Sequence, residues 1–127
     1  MTTGFLTAVL DQKYTEAAKV LDAAIASCRH EDKQALATLL INRGHCHHRV
    51  QLYRKALKDY DAALEAIPQH PLALYRKGQV LAAQKKLEDA RSAWEEALRA
   101  CSERTDIQLV LDISAALRDP HGVKAGH

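Results

Sequence analysis

The chain repeats itself at a fixed interval, and this repeat constrains the fold more than any other feature of the sequence. Five residues of one stretch recur later with the same spacing: Leu40, Gly44, Ala56, Tyr60 and Ala63 return as Leu74, Gly78, Ala90, Trp94 and Ala97. An earlier and shorter copy lies somewhat further from the second: Tyr14, Ala17, Leu21, Ala24 and Ile25 match Tyr53, Ala56, Tyr60, Ala63 and Leu64. A period of about 34 residues predicts stacked copies of one supersecondary unit.

The composition indicates that the repeated unit is helical. The chain has 22 Ala and 17 Leu, which are strong helix formers, and aromatic residues make up only 5%. Caps and breakers therefore predict an all-α fold of helical hairpins. The expected helices span residues 3–11 and 14–29, 32–49 and 53–67, 71–84 and 87–101, and finally 105–118. We expect a single domain over residues 1–119 and a flexible tail over 120–127.

Two glycines predict where paired helices touch. A glycine inside a helix costs about 1 kcal/mol relative to alanine. Gly44 and Gly78 occupy the same place in two repeats, so we expect each to let a partner helix approach closely, with large side chains filling the adjoining gaps.

Near the C-terminal end of the chain, Thr105 and Gln108 have the spacing of a capping box. The helix they start carries an apolar stripe that we expect to cover the end of the stack: Ile107, Val110, Leu111, Ser114 and Leu117.

Net charge, apolar runs and cysteine spacing limit the partners and the cellular compartment that we expect. The formal net charge is +2, which is too small to indicate nucleic acid or a membrane surface as the partner. The sequence lacks a long apolar run and a recognisable signal peptide, so we expect a cytoplasmic protein. Three cysteines without paired spacing, Cys28, Cys46 and Cys101, are typical of reduced thiols.

Four neighbouring residues, His45, Cys46, His47 and His48, invite a test for metal binding. On a helix only His45 and His48 share a face, whereas a structural zinc site takes four ligands. We therefore expect no metal and no cofactor, with Cys46 and His47 packed between helices. A phosphate-binding loop, a nucleophile elbow and a metalloprotease motif are all missing from the sequence, so nothing supports an enzyme.

The repeats resemble the tetratricopeptide repeat, whose signature is Trp, Leu-Gly, Tyr, Ala, Phe and Pro within about 34 residues. In the second repeat the matching residues are Leu40 in place of Trp, Gly44, Ala56, Tyr60 in place of Phe, and Pro68; in the third they are Leu74, Gly78, Ala90 and Trp94. The departures are Arg43 and Lys77 for Leu, His47 and Leu81 for Tyr, and Ser102 for Pro. The resemblance implies a superhelix of three hairpins with a C-terminal capping helix.

Such a stack offers a concave surface lined by the first helix of each pair, which can accept a peptide or a short helix. Helical phase gives the expected lining of this groove: Thr38, Ile41, Asn42, His45, His48 and Arg49 in the second repeat, and Leu72, Tyr75, Arg76, Gln79 and Ala82 in the third. Asn42 and Arg76 occupy equivalent places in the two repeats, so we expect them side by side on one ligand carboxylate. Because histidines gain charge below about pH 6.5, acidification should tighten binding of an acidic peptide.

A second resemblance is to the tetratricopeptide domains of co-chaperones that bind Hsp70 and Hsp90 tails. It rests on residues 40–47, on residues 73–77 and on five extra residues before the second repeat. Those domains hold the tail's terminal carboxylates with two Lys, two Asn and one Arg. Asn42 and Arg76 match one Asn and the Arg, which implies an incomplete carboxylate clamp. Leu72, Thr2 and Leu6 occupy the places of the other residues.

The sequence therefore predicts a non-enzymatic adaptor that binds a protein or peptide in its groove, for example an acidic or chaperone-type tail. A structural subunit that docks through its convex face or its ends, or that self-associates through the incomplete first hairpin, is the main alternative. An RNA-binding solenoid is a more distant one, because the charge is balanced and stacking aromatics are few.

Overall fold

The computed structural model describes residues 2–120, apart from the side chains of Thr2, Thr3 and Phe5. These residues form six helices and no strand: α1 (Thr2–Ser27), α2 (Lys33–Arg49), α3 (Tyr53–Ala66), α4 (Pro71–Ala83), α5 (Leu87–Ala100) and α6 (Ile107–Arg118). The predicted all-α fold of helical hairpins is confirmed. Within this described range, no helix is both long enough and apolar enough to span a bilayer. The tail expected over residues 120–127 lies outside the described residues except for Pro120.

The helices form two compact units. In unit 1, which contains α1 to α3, helix α2 packs against both α1 and α3. In unit 2, which contains α4 to α6, helix α5 packs against both α4 and α6. The single domain predicted over residues 1–119 stays a prediction.

The two glycines lie where the helices of each hairpin meet, as the sequence predicts. A Cβ added to Gly44 would lie 2.6 Å from Tyr60 Cε1, and one added to Gly78 would lie 2.6 Å from Trp94 Cδ1. Tyr60 and Trp94 are fully buried. Each aromatic ring therefore occupies the volume that a β-carbon would need, and glycine is required for this packing.

The turns inside the two hairpins share one backbone geometry. Gln51 and Lys85, two residues after the ends of α2 and α4, have left-handed backbone with φ of 64° and 65°. The next residue of each turn donates its N–H five residues back, from Leu52 to His47 O and from Lys86 to Leu81 O, both at 2.9 Å or less. Left-handed backbone is costly for a residue that has a β-carbon, so hairpin packing must stabilise these turns.

The predicted break between helices 3–11 and 14–29 is wrong, because α1 is one continuous helix of 26 residues. The register that matches Tyr14 with Tyr53 also aligns Gln12 with Gln51, which has left-handed backbone in the α2–α3 turn. In α1 the same position is helical. Gln12 and Lys13 are both good helix formers, so the helix continues where nothing compensates for the cost of a turn.

The last helix forms as predicted, but its cap and its buried face differ from the prediction. Asp106 is the N-cap and accepts a hydrogen bond from the Gln108 N–H at 3.1 Å, so the capping box starting at Thr105 is wrong by one residue. Ile113 is fully buried, whereas Ile107 is 69% exposed and Leu111 is 54% exposed. α6 packs against α5, and its buried face, with Ile113 and Ala116, is rotated from the apolar stripe expected from the sequence.

Candidate functional site

The expected groove residues of α2 divide into an exposed group and a half-buried group. Thr38, Asn42 and Arg49 are exposed, while His45 and His48 are half-buried. Ile41 is only 2% exposed, so it presents almost no surface to a ligand, contrary to its predicted place in the lining. The accessible part of this face is therefore polar and carries cationic or protonatable groups.

Two tyrosines hold the half-buried histidines. The His45 ring meets Tyr14 of α1 edge to face, with centroids 6.2 Å apart, and the His48 ring lies 5.8 Å from that of Tyr53. The Arg49 guanidinium carbon lies 5.4 Å from the centre of the Tyr14 ring, which is within range of a cation–π interaction. His45 and His48 are thus both ordered against aromatic rings. The match of Tyr14 with Tyr53 in the repeat register was a signal for this shared role.

An ionic network centred on the buried Asp59 crosses unit 1. Arg43 donates from Nε and Nη2 to the two carboxylate oxygens of Asp59, at 3.1 and 2.7 Å, and from Nη1 to Asp22 Oδ1 at 2.9 Å. His47 Nδ1 lies 2.9 Å from Asp59 Oδ2. Asp59 is only 4% exposed. The network therefore joins all three helices of unit 1 through charge-assisted hydrogen bonds.

The hydrogen bond to Asp59 is the main cause of a raised Arg43 pKa, opposed by desolvation and aided by Asp22. Sequence reasoning missed this network, although a signal was present. Arg43 and Asp59 are separated by the same interval as Gly44 and Tyr60. Arg43 is a cation at a position where the repeat usually has leucine, and Asp59 is an acid next to the aromatic Tyr60 of α3. This combination was the signal for an ion pair between α2 and α3. In the next repeat the equivalent positions carry Lys77 and Ala93.

In unit 2 four of the five expected groove residues on α4 are half-buried: Leu72, Tyr75, Arg76 and Gln79. Ala82 is only 1% exposed, so it presents almost no surface to a ligand, contrary to its predicted place in the lining. The Tyr75 main-chain carbonyl accepts a hydrogen bond from Trp94 Nε1–H at 3.1 Å, and its hydroxyl accepts one from Gln79 Nε2 at 3.1 Å. Burial, together with the Asp112 carboxylate, raises the pKa of the Tyr75 phenol. Tyr75 is therefore a fixed neutral group on this face. The expected pairing of Asn42, in unit 1, with Arg76, in unit 2, stays a prediction.

Helix pairs of this kind, with glycine against an aromatic ring at equal intervals, define a repeat. The family model of the tetratricopeptide repeat matches residues 48–104. That range runs from the end of α2 through α5. Among curated proteins, none is significantly similar in sequence.

A solved structure has a similar fold. It is the type III secretion translocator chaperone SycD of Yersinia enterocolitica, with a TM-score of 0.72 and 18% sequence identity. The similarity covers 97% of this chain and 83% of SycD. The similarity of fold to SycD therefore extends well beyond residues 48–104.

The consecutive histidine and cysteine side chains of α2 lie in different surroundings. His47 belongs to the ionic network, while His45 and His48 contact different tyrosines. Among residues 2–120, no three His, Cys, Asp or Glu side chains are grouped as a metal ion would require. Cys46 is buried, and desolvation raises the pKa of its thiol. A neutral, enclosed thiol is a poor nucleophile and a poor metal ligand.

Proposed function

We propose that the chain is a non-enzymatic protein-interaction adaptor that binds a peptide or short helix on the groove-side faces of α2 and α4. The match to the tetratricopeptide repeat supports this proposal, because helical repeats of this type present such faces to other proteins. The ligand is held by the exposed and half-buried residues of those faces: Thr38, Asn42, His45, His48 and Arg49 on α2, and Leu72, Tyr75, Arg76 and Gln79 on α4.

The strongest support for the proposal is that the two arginines of α2 have different environments. Arg43 contacts Asp22 and Asp59 inside unit 1, so it contributes to the fold. Arg49 is exposed and lies against the Tyr14 ring, where a ligand carboxylate can reach it. Ordering a cation on an aromatic surface reduces the entropy lost on binding. An acidic ligand therefore fits this face best.

Magnitudes show that the ligand must also contribute apolar contacts. A hydrogen bond to a charged group is worth about 1.5–3 kcal/mol, so Asn42 and Arg76 supply roughly 3–6 kcal/mol before costs. Association itself costs about 4–15 kcal/mol. The ligand must then bury apolar side chains against Leu72 and Tyr75, since Ile41 is already enclosed. We infer a ligand that combines carboxylates with hydrophobic residues.

Affinity capture from a cell lysate tests the adaptor function. The wild-type chain is compared with the double variant Asn42→Ala, Arg76→Ala and with a control that removes exposed cations from the second helices, Arg54→Ala with Arg91→Ala. We expect the captured proteins to be lost with the first pair and kept with the control. Equal capture by all three proteins would show that the groove-side residues are not the binding site.

We further propose that the ligand is a C-terminal tail of Hsp70 or Hsp90, held by the incomplete clamp of Asn42 and Arg76. Synthetic tail peptides are titrated calorimetrically in two forms, with a free terminal carboxylate and with an amidated terminus. A carboxylate clamp binds only the free form. If neither form binds while lysate proteins are still captured, the tail assignment is wrong and the adaptor function remains.

A further inference from the structure

Helix α1 has an apolar stripe that no other described element covers. Within residues 2–120, four of the eight large hydrophobic side chains that are exposed lie on this helix: Leu6, Val9, Leu10 and Val20, at 58%, 46%, 44% and 70% exposure. Leu6, Leu10, Lys13, Ala17, Val20 and Ala24 alternate at intervals of four and three residues. That spacing places them along one side of a helix, as in a helix–helix seam. The seam runs for most of a helix about 39 Å long.

Comparison with α3 shows that the second half of α1 lacks a partner helix. Ala56, Tyr60 and Ala63 of α3 are fully buried, because α2 packs on them. The residues that match them in α1, Ala17, Leu21 and Ala24, are only half-buried. The second half of α1 thus has the surface of the second helix of a hairpin. No first helix packs on it anywhere in the described part of the chain.

The segment that matches a first helix is on the same helix but cannot reach this surface. The register that matches Tyr14 with Tyr53 aligns residues 1–11 with residues 40–50 of α2. Folding back would need a turn at Gln12 and Lys13, and α1 is continuous there. Residues 2–11 therefore extend along the axis of α1, away from the open surface of residues 14–27. The matching surface is available on a second copy of the chain.

We propose that the open face of α1 binds the α1 helix of a second copy, antiparallel and around a two-fold axis. One alignment places each large residue of the seam opposite a small or β-branched one: Leu6 opposite Ala24, Leu10 opposite Val20, and Lys13 opposite Ala17. A two-fold axis makes each of these contacts twice. A parallel pair would instead bring Lys13 against Lys13 and repel.

The oligomeric state of the full chain tests this pairing by light scattering after gel filtration. Wild type should have twice the chain mass of 14.1 kDa. Leu10→Glu and Val20→Glu should each reduce the mass to one chain, because each places a carboxylate in the seam. Both positions are exposed in the single chain, so helicity by circular dichroism should stay unchanged. The control is Ile107→Glu on α6, where an equally exposed residue is changed and the dimer should persist.

A charge pair tests the alignment itself. In a chain carrying both Leu10→Glu and Val20→Lys, the new carboxylate of one copy faces the new ammonium of the other, and the dimer should return. Loss of the dimer in each single variant with recovery in the double variant would support the stated alignment. A wild-type chain that is monomeric, or a dimer that survives Val20→Glu, would overturn the proposal and leave the face to a helix from a different protein.

Discussion

Gly44 and Tyr60 show how one missing carbon atom determines the approach of two helices. The Tyr60 ring is fully enclosed, and three of its atoms would lie within 3.0 Å of a β-carbon added to Gly44. Glycine has a low helix propensity, but α2 needs it at this position because the enclosed Tyr60 ring occupies the volume of a β-carbon. The same relation holds for Gly78 and Trp94, so the feature is a property of the repeat.

Gly44→Ala is therefore expected to destabilise unit 1, although alanine is the better helix former. Overpacking of a well-filled core costs about 1–3 kcal/mol, which exceeds the gain of up to about 1 kcal/mol from propensity. Gly4→Ala is the matched control, because no described atom outside its own stretch of helix lies within 4 Å of its added β-carbon. Urea denaturation should show a lower midpoint for the first variant only. Equal midpoints for both would contradict the packing described for Gly44.

Asp59 is expected to contribute more to stability than any exposed acid on α3. Asp59→Ala leaves the half-buried Arg43 without its bidentate partner, a change that costs about 3–5 kcal/mol in buried pairs. Asp22→Ala should cost less than about 1 kcal/mol, because that carboxylate is 60% exposed.

The control for Asp59 is Glu65→Ala, an exposed acid on the same helix. The further variant Arg43→Leu with Asp59→Ala should recover part of the lost stability, since both charged partners are then removed together. Denaturation measurements that show additive losses in this double variant would mean that the Arg43–Asp59 pair is not coupled.

Helix α4 begins at an unusual cap whose strength depends on pH. His70 Nδ1 accepts a hydrogen bond from the Ala73 N–H at 3.4 Å, and Pro71 occupies the first turn. Burial lowers the His70 pKa, and protonation removes the acceptor lone pair. The unfolded chain, with a His pKa of about 6.5, then binds the proton more readily than the folded chain.

The stability that His70 contributes is thus complete above about pH 6.5 and is lost as the pH falls through its lowered folded pKa. His70→Asn keeps a good cap without a titrating group. As the pH is lowered from about 7.5 to 5.5, the midpoint temperature of thermal unfolding should fall more steeply in wild type than in this variant. Parallel curves for the two proteins would exclude His70 as the source.

Two isoleucines of α6 separate its buried face from its exposed one. Ile113→Ala is expected to cost about 2–5 kcal/mol, because the side chain is fully buried. Ile107→Ala is the same substitution on the same helix at a position that is 69% exposed, and it should change stability little. Chemical denaturation separates the two cases. A larger loss for Ile107→Ala would restore the stripe expected from the sequence.

The sequence predicted the elements well where the repeat constrained them. The positions of Gly44 and Gly78 and the hairpins they hold follow from one interval shared by several residue pairs. The phase of α6 did not follow, because its apolar residues are spread around the helix and the choice of buried side depends on α5. The continuity of α1 did not follow either, since the turn at Gln12 is decided by whether packing compensates for left-handed backbone.

The candidate site was predicted in part, for a related reason. Helical phase identified the exposed Asn42 and Arg49 from their spacing alone. It could not show that Tyr14 lies against Arg49 and His45, because that contact depends on the path of α1. Nor could it exclude Ile41 from the accessible lining, since burial by neighbouring elements is not visible in one helix's periodicity.

For the molecule as a whole, pairing through α1 would give one particle two copies of the α2 face. A ligand with two linked binding segments could then engage both copies, and its second segment would bind at a raised effective concentration. Ligand binding and dimer formation are independent, because the α2 residues proposed to bind a ligand are not those of the α1 seam. Each can fail without the other.

Site-specific photo-cross-linking in a cell lysate tests whether the α2 face binds another protein. A photoreactive residue is placed at Thr38 on the exposed face of α2, or at Glu65 on the exposed face of α3. We expect protein adducts at position 38 that disappear when Asn42 and Arg49 are changed to alanine, and few adducts at position 65. Adducts at position 65 alone, or adducts at position 38 that survive those changes, would contradict binding at the α2 face.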